Sequence, residues 1–94
     1  MALIFEWDKR KAKSNLSKHK VSFEEASTVF GDPLTLTIED PLHSPRDEER
    51  FVTIGSSYHG KILVVVHCDR RDKIRIISAR PAIRKERKAY EAGK

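Results

Sequence analysis

The chain has 94 residues, with 19 Lys or Arg against 14 Asp or Glu and a formal net charge of +5. This length fits a single domain over residues 1–94, and the longest apolar run, residues 62–66, is too short to cross a bilayer. The one cysteine, Cys68, excludes an internal disulfide framework and is typical of a reducing cytoplasm, where we expect the protein to act.

The charge is distributed unevenly along the chain. Residues 1–50 carry eight Lys or Arg and ten Asp or Glu, whereas residues 51–94 carry eleven and four. Nine of these cations lie between Arg70 and Lys88, where the acids are Asp72 and Glu86. A stretch this rich in fixed positive charge suits an anionic polymer, with RNA or DNA as the first candidate.

A short apolar strand at residues 2–7 precedes the first predicted helix, which runs from residue 9 to about residue 19. Asp8 stands just before this helix and suits the N-cap, because its carboxylate can accept hydrogen bonds from the first free backbone N–H groups. Positions i, i+4 and i+7 should share the face that turns to the core: Ala12, Leu16 and His19.

A second helix is predicted to start at Ser22. Ser22 and Glu25 form a capping-box pattern, and Gly31-Asp32-Pro33 supplies the glycine and proline that commonly follow a helix end. The spacing i, i+3 and i+7 predicts the core-facing side chains of this helix: Phe23, Ala26 and Phe30.

Four strands are predicted after the second helix, at residues 34–38, 50–55, 61–68 and 73–79. An acidic loop at residues 39–49 separates the first two of them. The third strand lacks polar alternation, so we expect it at the centre of the sheet with the second and fourth strands on either side. Short turns suggest that consecutive strands pair antiparallel.

The last strand is expected to end in a corner near Ser78-Ala79-Arg80. Pro81 suits the first position of a helix, and apolar residues recur after it at helical spacing. The element order β-α-α-β-β-β-β-α predicts an α+β fold, with two N-terminal helices and one C-terminal helix around the sheet.

Four blocks of residues, in order along nearly the whole chain, carry a further signal. They are Phe5-Glu6-Trp7-Asp8 with Lys11-Ala12, Asn15, Lys18-His19 and Val21-Ser22-Phe23-Glu24-Glu25-Ala26; Phe30 with Asp32-Pro33; Glu49-Arg50 with Ile54-Gly55; and Arg75-Ile76-Ile77-Ser78-Ala79-Arg80 with Ala82, Glu86-Arg87 and Tyr90. Together they resemble the BrnT family of bacterial type II toxins, whose fold is RelE-like. Pro81 departs from the pattern, since a basic or polar residue is expected there in relatives, and it should tighten the corner.

The resemblance implies a small endoribonuclease that arrests growth by cutting RNA. It also implies a BrnA-like antitoxin, a DNA-binding protein that covers the toxin, so that operator DNA is contacted only through the antitoxin. We expect no cofactor, because the sequence offers no carboxylate pair or Cys/His spacing that would hold a metal ion. The expected reaction is therefore metal-independent cleavage of RNA.

Metal-free RNA cleavage needs a base for the 2′-OH proton, cations for the phosphate charge and an acid for the leaving 5′-oxygen. Arg80 is the first candidate for the phosphate, because its planar fork binds two oxygens; a solvated surface residue is the alternative. Arg75 either joins it or forms an ion pair, for example with Glu86. Strand alternation puts Arg75 on the face of Ile77 and Ala79. Arg80 then lies on the other face, and the two arginines converge only if the chain turns at or before Arg80.

Three further residues have both a catalytic and a structural interpretation. Glu86 is a base among arginines or their counter-ion, and those arginines would lower its pKa, which weakens it as an acid. Tyr90 presents its hydroxyl to a phosphate or packs its ring. His19 is an acid or base at the end of the basic first helix, or a cation that caps the C-terminus of that helix.

Basic residues on two helices are expected to bind RNA phosphates: Lys18 on the first helix, and Arg84 and Arg87 on the last. The alternative is a solvated helix face. Two other functions compete with the ribonuclease, namely a non-catalytic nucleic-acid-binding module and a protein-interaction domain with a basic face for an acidic partner. A binding module usually shows exposed aromatic residues between its cations, and the basic corner has only Tyr90.

Overall fold

A computed structural model describes residues 3–40 and 48–93. Its fold is an α+β arrangement of one sheet and three α-helices, as the sequence predicted. The elements follow in chain order: β1 Ile4–Glu6, α1 Lys9–His19, α2 Phe23–Thr28 with a 3-10 turn at Val29–Gly31, β2 Leu36–Glu39, β3 Arg50–Ser56, β4 Ile62–Arg70, β5 Lys73–Pro81 and α3 Arg84–Ala92. Most of the predicted acidic loop, residues 41–47, lies outside the described residues. Within the described ranges, no helix has the length and apolar character that a membrane span requires.

The five strands form one sheet in the order β1-β5-β4-β3-β2. Strand β4 lies between β3 and β5, which confirms the central position predicted from its apolar run. The sheet is mostly antiparallel, as expected, and β1 is the exception because it pairs parallel with β5, with Glu6 beside Arg75. A hairpin fixes the direction only of the two strands that it joins, and no hairpin joins β1 to β5.

Both N-terminal helices begin at their predicted caps. The Asp8 carboxylate accepts hydrogen bonds from the backbone N–H groups of Arg10 and Lys11, at 2.7 and 3.3 Å. The Ser22 hydroxyl accepts from the backbone N–H of Glu25 at 3.0 Å. These side chains satisfy donors that an α-helix leaves unpaired at its first turn, so the local sequence alone fixes both starting points.

The inward face of α1 differs from the prediction, because Leu16 is 49% exposed and Asn15 is only 7% exposed. The Asn15 side-chain amide donates to the carbonyls of Val21 and Ala79, at 2.9 and 2.8 Å, and its oxygen accepts from the Ala79 N–H at 3.1 Å. A buried amide that satisfies three backbone groups joins α1 to β5. The apolar periodicity predicted that Leu16 faces the core, because it does not consider a polar residue that is buried with hydrogen-bond partners.

Helices α1 and α2 cover one face of the sheet, called the helix face below. Its fully buried side chains form the larger core cluster: Val21, Phe23, Ala26, Val29, Leu63, Val65, Ile76 and Ala79. His67 is buried at the same face, where its ring packs edge-on against Phe30 and its Nε2 lies 2.7 Å from the Thr53 hydroxyl. The core position predicted for His67 is confirmed, and burial lowers its pKa.

A β-bulge in β5 changes which side chains share a face. Ser78 pairs with Val66 while Ile76 pairs with His67, so Ile77 is an extra residue without a partner on β4. Ile76 and Ala79 consequently both enter the core on the helix face. The face prediction from simple alternation was wrong, because the bulge resets the two-residue period.

The bulge also decides where the two predicted arginines point. Arg75 precedes Ile76, so it lies on the face opposite the helix face. Arg80 follows Ala79 and lies on that same opposite face. The two arginines therefore share a face of β5 without a turn between them.

The predicted corner at Ser78-Ala79-Arg80 was also wrong, since β5 continues to Pro81 and α3 begins only at Arg84. The backbone N–H of Ala82 donates to the Ile62 carbonyl at 2.9 Å, which extends the β4–β5 ladder past the strand end. Bonding directions alternate along a strand, so the nitrogen of Pro81 points away from β4. It points to the other edge of β5, where β1 pairs only with residues 73–75. A proline there removes no ladder bond, and it does not serve as the first residue of the helix.

Helix α3 packs on the face opposite the helix face, called the α3 face below. It covers one end of that face through a second apolar cluster: Ile54, Val64, Ala82 and Tyr90, with Val52 and Ile62 partly buried beside them. The remainder of the α3 face carries no helix in the described part of the chain. The sheet thus has one covered face and one partly open face.

Candidate functional site

The open part of the α3 face holds a shallow cavity of about 340 Å³. It is lined by residues of β3, β4 and β5 and by the residue that follows β2: Asp40, Arg50, Val52, Val64, Val66, Ile77, Ser78 and Arg80. Cross-strand register explains this composition, because Arg80 lies opposite Val64 and Ser78 opposite Val66. The floor is apolar and the polar groups are two guanidiniums, one carboxylate and one hydroxyl.

Arg80 and Glu86 form a bidentate ion pair at the edge of this cavity. Nη1 of Arg80 donates to Oε1 of Glu86 and Nη2 donates to Oε2, both at 2.8 Å. Oε1 of Glu86 also accepts from the backbone N–H of Ile83 at 2.9 Å, in the first turn of α3. The carboxylate therefore fixes the guanidinium of β5 to the N-terminus of α3.

This geometry keeps both partners charged. The hydrogen bond from Arg80 lowers the pKa of Glu86, burial opposes that effect, and the Ile83 N–H supports it. The same pair raises the pKa of Arg80. A guanidinium has five N–H donors. The bidentate pair uses two, Nη1 also donates to the Pro81 carbonyl at 3.4 Å, and the Arg80 side chain is still 41% exposed. Arg80 therefore presents a preorganised cation with donors left for an anion.

Arg50 brings a second guanidinium to the cavity. Its Nε lies 3.4 Å from Oε2 of Glu48, and its carbonyl accepts from the Asp40 N–H at 2.8 Å. Glu48 also accepts from the thiol of Cys68 at 3.1 Å. Burial and that carboxylate raise the pKa of Cys68 to about 11, so the thiol stays protonated and does not act as a nucleophile.

Tyr90 belongs to α3 and does not line the cavity, because its side chain is buried between this helix and the sheet. Its hydroxyl donates to Oδ2 of Asp32, which also accepts from the Ser56 N–H at 2.8 Å. Oδ1 of Asp32 accepts from the Leu34 N–H at 2.9 Å. The bond to Asp32, together with burial, raises the pKa of Tyr90 to about 12. Tyr90 thus anchors α3 to the start of the β2 segment and the end of β3.

The structure does not bring His19 and Lys18 together with Arg80. Both residues belong to the last turn of α1, which packs on the helix face through Asn15 and its bonds to Ala79. Arg80 lines the cavity on the other face of the sheet. In that last turn the Lys18 charge opposes the helix dipole favourably, and the C-cap itself is Lys20, whose N–H donates to the Leu16 carbonyl.

The remaining predicted cations have separate environments. Arg75 pairs with Glu6 at 3.1 Å, and not with Glu86 as one interpretation had it. Arg87 donates to the Ala82 carbonyl at 2.9 Å, which tightens the segment that leads into α3. Arg84 is exposed in the first turn of α3, near Glu86 in sequence. Of these three, Arg84 and Arg87 lie on the helix that borders the cavity.

Three contributors were missed by the sequence reasoning. Arg50 stands in the quoted block Glu49-Arg50 and Asp32 in the block with Phe30 and Pro33, which were the signals available for them, whereas Asp40 gave none. Within residues 3–40 and 48–93, no three His, Cys, Asp or Glu side chains converge as a metal site would require. The donor set around the cavity suits a bound anion.

Comparisons with known proteins agree with the sequence resemblance. A family model described as "Ribonuclease toxin, BrnT, of type II toxin-antitoxin system" matches residues 7–86. The 1.1 Å crystal structure of the Brucella abortus ribonuclease toxin BrnT is similar with a TM-score of 0.63 and 21% sequence identity, over 88% of this chain and all of that one. That structure supports the fold. A comparison with curated proteins found no significant match.

Proposed function

Because the chain belongs to the BrnT family of ribonuclease toxins of type II toxin–antitoxin systems, we propose that it cuts RNA in the cavity beside Arg80 without a metal ion. The observation that carries this proposal is the bidentate pair of Arg80 with Glu86, at 2.8 Å for both bonds, on the rim of an open cavity. A guanidinium held in this way cannot turn away from an incoming phosphate. Fixed charge of this kind stabilises the charge that develops in a transition state.

The proposed reaction is attack by the ribose 2′-oxygen on the adjacent phosphorus. The 2′-oxygen loses its proton and forms the new P–O bond, while the bond from phosphorus to the 5′-oxygen breaks and that oxygen takes a proton from solvent, to which the cavity is open. The products are a 2′,3′-cyclic phosphate and a free 5′-hydroxyl. Arg80 and Arg50, which both line the cavity, bind the non-bridging oxygens as negative charge builds on them.

The other predicted residues take supporting roles in this proposal. Glu86 positions Arg80, because its lowered pKa and its bonds to Arg80 and Ile83 make it a poor proton donor. Asp40 is the carboxylate among the lining residues and, when ionised, is suited to accept the 2′-OH proton. Tyr90 holds α3 in place through its bond to Asp32. His19, in the last turn of α1 on the other face of the sheet, takes no part in the reaction. Arg84 and Arg87 lie on the helix beside the cavity and extend its positive charge toward the RNA.

We further propose that a BrnA-like, DNA-binding antitoxin neutralises the protein by covering part of this basic surface. The support is the family itself, which is a toxin family of type II systems, and the concentration of exposed cations in the C-terminal half. Co-expression with the reading frame beside the toxin frame tests this. A stable complex that no longer cuts RNA is expected, and unchanged cleavage in the presence of that protein would contradict it.

Cleavage of RNA by the purified protein, with and without excess chelator, tests the reaction. We expect equal rates in both conditions, and fragments that end in 2′,3′-cyclic phosphate and 5′-hydroxyl groups. Complete inhibition by the chelator, restored by added Mg²⁺, would refute metal independence. RNA that is bound but never cut would favour the non-catalytic binding module instead.

A further inference from the structure

A second basic cluster lies at the β4–β5 hairpin, at the opposite end of β5 from Arg80. Six residues, named the hairpin cluster here, line a depression of about 550 Å³: Glu6, Arg70, Arg71, Asp72, Lys73 and Arg75. Four of them are cations and two are carboxylates, so the cluster has a net charge of +2. None of the contacts described for the Arg80 cavity involves these residues.

Three cations of the cluster converge on a single carboxylate. Oε2 of Glu6 lies 3.1 Å from Nη1 of Arg75 and 3.8 Å from Nη1 of Arg70, and its Oε1 lies 4.0 Å from Nζ of Lys73. One negative charge cannot neutralise three positive ones. The Arg70 and Lys73 side chains are also 55% and 48% exposed, so they are accessible to an anion from solution.

The hairpin cluster and the cavity are aligned along one strand. The bulge at Ile77 places Arg75 on the same face of β5 as Arg80. The two arginines are five positions apart, which corresponds to roughly 15 Å of extended strand. Ile77 and Ser78, which line the cavity, lie between them. A flexible polyanion that crosses the α3 face along β5 would contact both groups of cations.

We propose that the hairpin cluster is a second phosphate-binding site for the RNA that is cut beside Arg80. This inference rests on the proposed function and adds the path that the RNA follows beyond the Arg80 cavity. Guanidinium forks fit phosphate oxygens, and phosphates recur along an RNA strand, so one strand can satisfy two sites on one face. The other flank of the hairpin carries Glu48, Glu49 and Asp69 beside the same Arg70 and Arg71, and these three carboxylates make that side less favourable for phosphate than the side of β1.

Two charge-matched double variants test the proposal. Arg70→Gln with Lys73→Gln removes two exposed cations of the cluster. Lys13→Gln with Lys61→Gln removes two exposed cations elsewhere and is the control. Each protein is assayed on a trinucleotide, which can fill only the cavity, and on an RNA of about 20 nucleotides, which can reach both sites. Binding of the longer RNA, made with 2′-O-methyl groups that prevent cleavage, is measured over a range of salt concentrations.

For the Arg70/Lys73 variant we expect the KM for the longer RNA to rise about tenfold relative to that for the trinucleotide. The slope of log Kd against log salt should become shallower by about 1.4, for two lost phosphate contacts. The control should match the wild type. Equal slopes and KM values in both double variants would overturn the proposal. So would unchanged RNA affinity with lost affinity for the antitoxin, because the cluster would then bind protein.

The uncleavable RNA separates this inference from the proposed function. If the wild type cuts no RNA but the Arg70/Lys73 variant binds the longer RNA more weakly than the control does, the second site stands and the ribonuclease mechanism fails. If cleavage occurs but the two variants bind alike, the mechanism stands and the second site is refuted.

Discussion

The guanidinium of Arg80 and the carboxylate of Glu86 meet through two parallel hydrogen bonds of 2.8 Å, and this pair joins the last strand to the last helix. The partners are six positions apart in sequence, across the end of β5 and the first turn of α3. Because Glu86 also accepts from the Ile83 N–H, one carboxylate caps the helix and orients the cation. The site is therefore built into the connection between two elements.

Glu86→Gln should weaken catalysis and change the acid stability of the protein. A neutral amide keeps the size of the side chain but loses the charged, two-oxygen partner of Arg80, so we expect kcat to fall roughly tenfold. The folded-state pKa of Glu86 lies below its usual 4.5, so its contribution to stability is present above about pH 4.5 and is lost as the pH falls through the lower folded pKa. Urea unfolding of wild type and variant, from neutral pH to about pH 3, measures this.

Glu91→Gln, on the exposed part of the same helix, is the control for that substitution. It should keep both the wild-type kcat and the wild-type loss of stability in acid. A Glu86→Gln protein with an unchanged kcat would show that Arg80 does not depend on its partner for orientation.

Asn15→Ala should destabilise the protein by about 2–4 kcal/mol. The substitution leaves two carbonyls and one N–H of the buried backbone without their partner, and each such group costs about 1–3 kcal/mol before relaxation. Leu16→Ala removes a larger apolar side chain from the next position, yet it should cost less than about 1 kcal/mol because Leu16 is 49% exposed. Chemical denaturation of both variants compares them, and a larger loss for Leu16→Ala would reverse the assigned faces of α1.

Tyr90→Phe should lower stability by about 1–2 kcal/mol, because the partly buried Asp32 carboxylate loses a donor. The folded pKa of Tyr90 is about 12 against an ordinary 10.0, so the stability from its hydroxyl is complete below pH 10 and is lost as the pH rises toward 12. Absorbance titration of the phenols should show a component near pH 12 that the variant lacks. Tyr58→Phe, at a side chain 82% exposed, should leave both stability and that component unchanged.

The starts of the two N-terminal helices and the central strand could be predicted from the sequence because their signals are local, and the family could be predicted from four blocks spread along the chain. Asp8 and Ser22 cap their helices through bonds within three residues, and the apolar run of β4 is continuous. The inward face of α1 could not be predicted, because Asn15 is buried only through its hydrogen bonds to Ala79, 64 residues away. The bulge at Ile77 likewise depends on how β5 pairs with β4, and no residue type in this stretch predicts a bulge.

The candidate site was predicted in part. Arg80 and Glu86 were selected for their charge, and the structure brings them into contact. The corner that the sequence predicted near Arg80 does not exist, since strand pairing carries the chain on to Pro81. Arg50 reaches the cavity only through the register of β3 against β4, which is a property of the sheet and not of the sequence around Arg50.

The single-turnover rate of RNA cleavage by Arg80→Ala tests the central claim most directly. Removal of one preorganised phosphate contact typically lowers the rate about 100–1000-fold, and the fold should persist because the Arg80 side chain is 41% exposed. Arg80→Lys should recover only part of the rate, since an ammonium cannot reproduce the bidentate pair with Glu86. Arg10→Ala, which removes an exposed arginine on α1, should cleave like the wild type. A folded Arg80→Ala protein that cleaves RNA at the wild-type rate would contradict the account and place the active site elsewhere.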